Sequence, residues 1–224
     1  MLRIAVIYPE LLGTYGDGGN ALVLEQRAIR RGIPVTVQQV GLGDALPDAD
    51  VFLLGGGEDG PQFAATRALL ADGTLARRVA DGAHVLAVCA GLQILGTSYE
   101  LEGGDVVEGL GLFDGATTRG DERRVGDAVV DVGGRWLVGF ENHGGETHGV
   151  TNALGRVRRG HGNDGTVDGV RHGTVWGTYL HGPVLALNPW FVDELLADCL
   201  GHDLDALPSP ADALYAERVS RLTR

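Results

Sequence analysis

Two residues of this chain have the chemistry and the setting of a nucleophile and its base. Cys89 lies in Ala83–Tyr99 (AHVLAVCAGLQILGTSY), where an apolar strand, His84–Val88, runs into a turn of small residues and then an apolar helix beginning near Ala90. A strand that reverses into a helix within one or two residues forces the junction residue into a strained conformation. Only Gly- or Ala-sized neighbours permit this, and Ala87, Ala90 and Gly91 meet the condition. Unpaired N–H groups and the macrodipole at the start of that helix favour a thiolate. Taken alone, Cys89 is read equally well as an inert, buried thiol.

His181, in Thr178–Gly182 (TYLHG), again ends an apolar strand just before a turn. A thiol hydrolase needs an imidazole within hydrogen-bond reach, to take the thiol proton and return it to the leaving group. His84 and His172 lie beside strands without such a turn, and His143, His148, His161 and His202 sit in polar or Gly-rich segments. A lone strand-end histidine is more often capped by backbone than catalytic; a second strand end bearing a thiol reverses that preference. A third element is Leu54–Asp59 (LGGGED), directly after another strand. Gly55, Gly56 and Gly57, together with the N–H of Ala90, could supply oxyanion-hole donors, or form an ordinary left-handed turn.

The elements that must position these residues follow from periodicity. Leu2–Tyr8 and Val51–Leu54 are apolar runs of buried-strand type, with the alternating segment Val35–Val40 between them. Asn20–Arg31 has a helical pattern, Asn20 suiting an N-cap and Gly32 a stop. Gln62–Leu70 and Leu75–Ala80 read as helices. Strands alternating with helices imply an α/β fold with a parallel sheet, whose ligands sit at the carboxyl ends of strands. From Glu102 to Gly173 short β-type runs (Val106–Val107, Ala128–Val132, Trp136–Phe140, Thr166–Val170) imply antiparallel or mixed sheet. Ala128–Val130 and Trp136–Val138 read equally as core strands or as a partner surface. A strand within Gly173–Leu180, a helix from Pro189 to about Leu200 N-capped by Asn188, and an amphipathic helix in Pro210–Arg224 complete the reading. No linker divides the chain, so one domain over residues 1–224 is expected.

Composition narrows the chemistry. Cys89 and Cys199 are the only cysteines of 224 residues and form no CxxC, which argues against a disulfide framework or a Cys-based zinc site and suits a reducing cytoplasm. The start MLRIAVIYPE has neither the length of a membrane span nor the pattern of a signal peptide. A net charge of −12 argues against a nucleic-acid or anionic-membrane surface. All 18 basic residues are Arg. The Gly-rich loops at Tyr15–Asn20 and Leu54–Gly60 therefore cannot be Walker A loops, which need a Lys. Any nucleotide chemistry is expected on another chain.

The order of GGG loop, Cys elbow and late strand-end His resembles the class I glutamine amidotransferases. Within them VCAGLQILG (Val88–Gly96), GFENHGG (Gly139–Gly145) and YLHGP (Tyr179–Pro183) are similar to the cobyric acid synthase-like branch. The GDGGN segment (Gly16–Asn20), the LGGGED loop and the length are similar to the GatD family, the glutaminase subunits of lipid II isoglutaminyl synthases. The resemblance implies a flavodoxin-like three-layer sandwich with a mostly parallel central sheet. It implies Cys89 as nucleophile, His181 as base, and Arg123 in RRVGD (Arg123–Asp127), with Arg124 as the alternative, as the contact for the glutamine carboxylate. Gly55, Gly56, Gly57, Ala90 and Gln93 are the other implied substrate contacts. The implied partner is a MurT-like Mur ligase that carries ATP and Mg, this chain holding no cofactor and no metal.

One position departs from the broader class. Many class I members have a Glu two residues after the His, where this chain has Pro183. Asp193 and Glu194 lie on the next helix, and in the GatD family the third member is an Asp of the partner, which implies a weak glutaminase completed by docking. The residues also leave open a stand-alone γ-glutamyl hydrolase or peptidase, another cobyric acid synthase-like amidotransferase, and a redox or docking module with Cys89 as a sensor thiol.

Overall fold

The computed structural model describes residues 1–224. The first half runs β1 (Leu2–Ile7), α1 (Gly19–Arg30), β2 (Val35–Val40), β3 (Val51–Leu54), α2 (Asp59–Asp72), α3 (Thr74–Ala80), β4 (His84–Val88) and α4 (Ala90–Leu95). Six strands follow: β5 (Ser98–Glu100), β6 (Val106–Glu108), β7 (Ala116–Val132), β8 (Arg135–His148), β9 (Gly155–Arg159) and β10 (Val167–Asp168). The chain closes with β11 (Val170–His172), β12 (Val175–Thr178), α5 (Val184–Leu187), α6 (Pro189–Leu200) and α7 (Pro210–Leu222).

The central sheet has the order β11-β12-β4-β3-β1-β2, parallel throughout except for the antiparallel edge strand β11. Every residue of β3, β4 and β12 is buried, as a sheet covered on both faces requires. The covering helices form two groups, α1 with α5 and α6, and α2 with α3 and α4. From β1 the chain moves to β2 on one side and then to β3 on the other, so a crevice opens at the carboxyl ends of β1 and β3. The loops after β1, β3, β4 and β12 all emerge at those ends.

The second sheet, β10-β9-β7-β5-β6 with β8 paired to β7, is mixed, and its body is one long β7–β8 hairpin. The short runs expected over Ala128–Val132 and Trp136–Phe140 are the apolar distal half of this hairpin. The half nearer the cavity holds Arg119–Arg124, whose charged texture hid its strand character. Ala128, Val130 and Leu137 belong to the main core, and Val129 and Val138 are covered by Leu222 of α7, so these runs are core rather than a free partner surface.

Two expected caps take other roles. Gly18, not Asn20, precedes α1, and buried Asn20 accepts a hydrogen bond from the Leu185 N–H at 3.0 Å, tying α1 to α5. Asn188 does precede α6, but its side chain bonds both backbone groups of Val138 and the Val184 carbonyl, stitching the helix to β8.

The packing of α4 on β3 depends on Gly91. A Cβ there would stand 2.8 Å from the Leu54 carbonyl oxygen and 3.1 Å from that of Gly55, and backbone cannot move aside cheaply. Gly91→Ala is expected to cost about 1–3 kcal/mol by forcing α4 off the sheet. Urea unfolding measures this, and an unchanged midpoint would show that α4 has room the packing denies it.

Candidate active site

Cys89 occupies the expected elbow. It has φ +52° and ψ −109°, one of two non-glycine residues with positive φ, and precedes α4 directly. The strain is held from both sides, because the Cys89 N–H extends the β4–β12 ladder to the Thr178 carbonyl (2.9 Å) and its carbonyl accepts from the Gln93 N–H (3.1 Å). The residue is 5% exposed and opens onto a cavity of about 420 Å³ lined also by Tyr15, Gly57, Glu58, Ala90, Gln93, Arg123, Asn142 and His143.

His181 is presented just past the end of β12, beside β4. Its backbone exchanges two hydrogen bonds with Phe140 of β8 (2.7 and 3.1 Å). The turn leading to it is fixed by Asp168, which accepts from the Thr178 hydroxyl (2.6 Å) and the Tyr179 N–H (3.1 Å); complete burial pushes the Asp168 carboxyl up to about 6. Gly56 must be small here, since a Cβ would lie 2.7 Å from His181 Cε1.

The carboxylate that orients the imidazole is Asp17, in the β1–α1 loop. Its Oδ2 lies 2.9 Å from His181 Nδ1 and its Oδ1 3.1 Å, and Oδ2 also accepts from the Gly56 N–H at 2.9 Å. A carboxylate at Nδ1 places the proton there and turns Nε2 to the other side of the ring, where it is buried without a hydrogen-bond partner. Burial alone would lower the pKa of His181; its hydrogen bonds to Asp17 and the proximity of Cys89 outweigh it and push the imidazole up to about 10. The three side chains thus have the order thiol, imidazole, carboxylate.

The position the resemblance gave to a partner's Asp is therefore filled within this chain. Neither helix candidate reaches the ring. Asp193 is held by Arg27 (2.7 and 2.6 Å) and Arg31 (2.7 Å), and Glu194 by Arg171 (2.8 Å) and Arg135. Pro183 packs against α1 at Gly19, where a Cβ would meet its ring at 2.4 Å. In the sequence Asp17, a short polar residue among glycines, reads as turn chemistry. The usable signal was that its loop leaves β1, a strand whose carboxyl end adjoins that of β3.

Of the expected oxyanion donors, Ala90 and Gly57 line the cavity, whereas the Gly56 N–H is committed to Asp17. Gly55 packs on the Leu12 carbonyl and accepts from the Gly91 N–H (3.1 Å), serving the elbow. Gln93, one turn beyond Cys89, is held in the cavity wall by Gln62 (2.9 Å) and the Tyr179 hydroxyl (3.1 Å). Between the two candidate arginines the geometry separates cleanly. The β7–β8 register shifts between Arg119 and Arg124, and this bulge presents Arg123 to the cavity, while Arg124 pairs with Glu122 (3.0 Å) and Glu146 (3.5 Å).

A CobB/CobQ-like glutamine amidotransferase domain model matches residues 3–189. The chain belongs to that family. Among curated relatives, the lipid II isoglutaminyl synthase (glutamine-hydrolyzing) subunit GatD of Staphylococcus aureus (strain N315) is 40% identical over 202 residues, covering 87% of this chain and 83% of the relative. The subunit of the same name from Streptococcus pneumoniae (strain ATCC BAA-255 / R6) is 34% identical over 235 residues, covering 96% and 88%. Among solved structures, PurLQS from Thermotoga maritima superposes with a TM-score of 0.61 at 20% identity, covering 89% of this chain and 98% of that one. The fold of this CobB/CobQ-like amidotransferase is thus the α/β sandwich of the glutamine amidotransferases. No helix is long and apolar enough to cross a membrane.

The triad geometry sets a pH dependence. With the His181 pKa near 10, the imidazolium persists through neutral pH and is lost as pH rises through that value. Asp17→Asn removes the main stabilising partner, so the alkaline limb is expected to move to lower pH. Turnover is expected to fall about a hundredfold or more, as when an orienting carboxylate is lost from other triads. A pH profile of glutaminase kcat/KM measures both; an alkaline limb left in place would show that Asp17 does not govern the ring.

Proposed function

We propose that this chain hydrolyses L-glutamine through a Cys89 thioester and delivers the ammonia to a MurT-like ligase, which amidates the D-glutamate α-carboxylate of lipid II in peptidoglycan synthesis. The observation that carries the hydrolytic step is that Asp17 holds the His181 ring beside Cys89, whose thiol lines a cavity that also holds Arg123. The thiolate attacks the side-chain amide carbon, and the oxyanion is received by the N–H groups of Ala90 and Gly57. His181 gives its Nε2 proton to the departing nitrogen, so ammonia leaves and a γ-glutamyl thioester remains. Water, deprotonated by the same imidazole, then releases glutamate and restores the thiol. Arg123 holds the α-carboxylate, a role for which a guanidinium is suited by its paired donors.

The names of the two GatD relatives support the second half of the reading; in it the ligase would carry ATP and Mg, and the site of action would be cytoplasmic. The absence of any Lys supports leaving nucleotide chemistry to that partner. Asp17 changes one expectation: because the orienting acid is internal, the partner's contribution is to receive ammonia rather than to complete the base. The same feature favours the second reading, a stand-alone γ-glutamyl hydrolase.

Ammonia and glutamate release by the wild-type chain and Cys89→Ala, each with and without the co-expressed ligase and with mass analysis of lipid II, separates the two. Cys89-dependent release by the chain alone, and an amide added to lipid II only with the ligase, is the expected result. Release with no amide in either case would identify the hydrolase. Arg123→Ala is expected to raise KM for glutamine by about tenfold or more, with less effect on kcat.

A further inference from the structure

Beside Arg123 the cavity carries a carboxylate to which neither the triad nor the carboxylate anchor gives a role. Glu58 precedes α2 directly after the GGG loop, and its Oε1 lies 4.0 Å from Arg123 Nη2. The hydroxyl of Tyr15 stands between them, accepting from Arg123 Nη2 at 2.8 Å and donating to Glu58 Oε1. Asn142 accepts from Arg123 Nε at 2.7 Å, so the guanidinium is gripped on one side and Nη1 is left without a protein partner. The ring of Tyr15 packs against that of His181, with centroids 4.9 Å apart. Burial and Glu58 both raise the phenol's pKa, which keeps it a donor at neutral pH.

A cation and an anion held side by side in one cavity match a ligand bearing an anion and a cation on the same carbon. Glutamine does, with its α-carboxylate and α-ammonium. Both side chains are about half exposed (Arg123 50%, Glu58 56%), so their own attraction is weak and a ligand can exchange into it at little cost. Of the other carboxylates lining the cavity, Asp59 is engaged by the Glu102 N–H and Arg119, Glu100 by the Arg119 N–H, Glu102 by Arg119 and Glu122 by Arg124, while Asp121, exposed on the hairpin bulge, has no hydrogen-bond or ion-pair partner, Arg123 included.

On the reading that the cavity takes glutamine, we propose that Glu58 receives the α-ammonium group, and that Tyr15 spaces Glu58 and Arg123 to fit a free amino acid. Selectivity then follows for γ-carboxamides with an unblocked amino group. An N-acylated glutamine loses the charge and leaves Glu58 facing a neutral amide; a chain without the amino group leaves it empty.

The test compares glutamine with glutaramate, its analogue lacking the amino group, as substrates for wild type, Glu58→Gln and Tyr15→Phe, with the ligase partner present if the chain needs it for turnover. Wild type is expected to favour glutamine by about tenfold or more in kcat/KM, mostly through KM, the scale of a charge-assisted hydrogen bond. In Glu58→Gln that ratio is expected to fall toward one. Tyr15→Phe is expected to weaken both substrates, because it loosens Arg123 as well. Alkylation of Cys89 by uncharged iodoacetamide at the wild-type rate serves as the folding control. Glutamine turnover with the same preference in wild type and Glu58→Gln, or with no preference in wild type, would overturn the Glu58 assignment and leave glutamine hydrolysis standing. No Cys89-dependent turnover of either substrate would overturn both.

Discussion

The hydrogen bond between His181 and Asp17 joins parts of the chain separated by 164 residues, and the geometry of the cavity hangs on it. Asp17 belongs to the first crossover, after β1, and His181 follows the last strand of the central sheet. They meet only because β1, β3, β4 and β12 are parallel neighbours whose carboxyl ends lie level with one another. Once formed, the contact fixes more than the imidazole. Asp17 also takes the Gly56 N–H, which seats the glycine loop, and its own loop swings Tyr15 over the ring. A buried charge with so many dependants stays in place because its oxygens meet the imidazole and the Gly56 N–H.

Around this contact the fold divides its work. The parallel sheet places Cys89 and His181 at strand ends and Asp17 in the loop after β1, where small errors in placement would be costly. The β7–β8 hairpin supplies Arg123, Asn142 and His143 to the cavity wall, and a bulge re-aims one arginine without disturbing the ladder on either side. Phe140 couples the two parts, since the backbone that faces Asp127 in the hairpin also holds His181.

Much of this was legible from residue types alone. The buried parallel strands announce themselves as apolar runs with turn residues after them, and Cys89 and His181 stand at two of those ends. The charged half of β7 was not legible, because Arg119–Arg124 faces a polar cavity and so lacks the alternation that marks a strand with one dry face. Asn20 and Asn188 stand where cap signals predict them, yet their side chains answer to long-range partners, which no local pattern records. The orienting acid was hidden for the same reason. A triad is a relation between distant loops, and periodicity speaks only of neighbours. Pro183 could show that the usual Glu was missing, but not where its replacement came from.

Asp17 and His181 also lie near opposite ends of the order in which the chain is made. The thiol elbow, the glycine loop and the acid are all in the first 90 residues, whereas the base arrives at position 181. A domain folds as a unit, and the Cys89 N–H bonds the Thr178 carbonyl, so the elbow is completed only with the strand that also delivers His181. Only a chain that has completed β12 and folded it against β4 brings thiol, imidazole and carboxylate together.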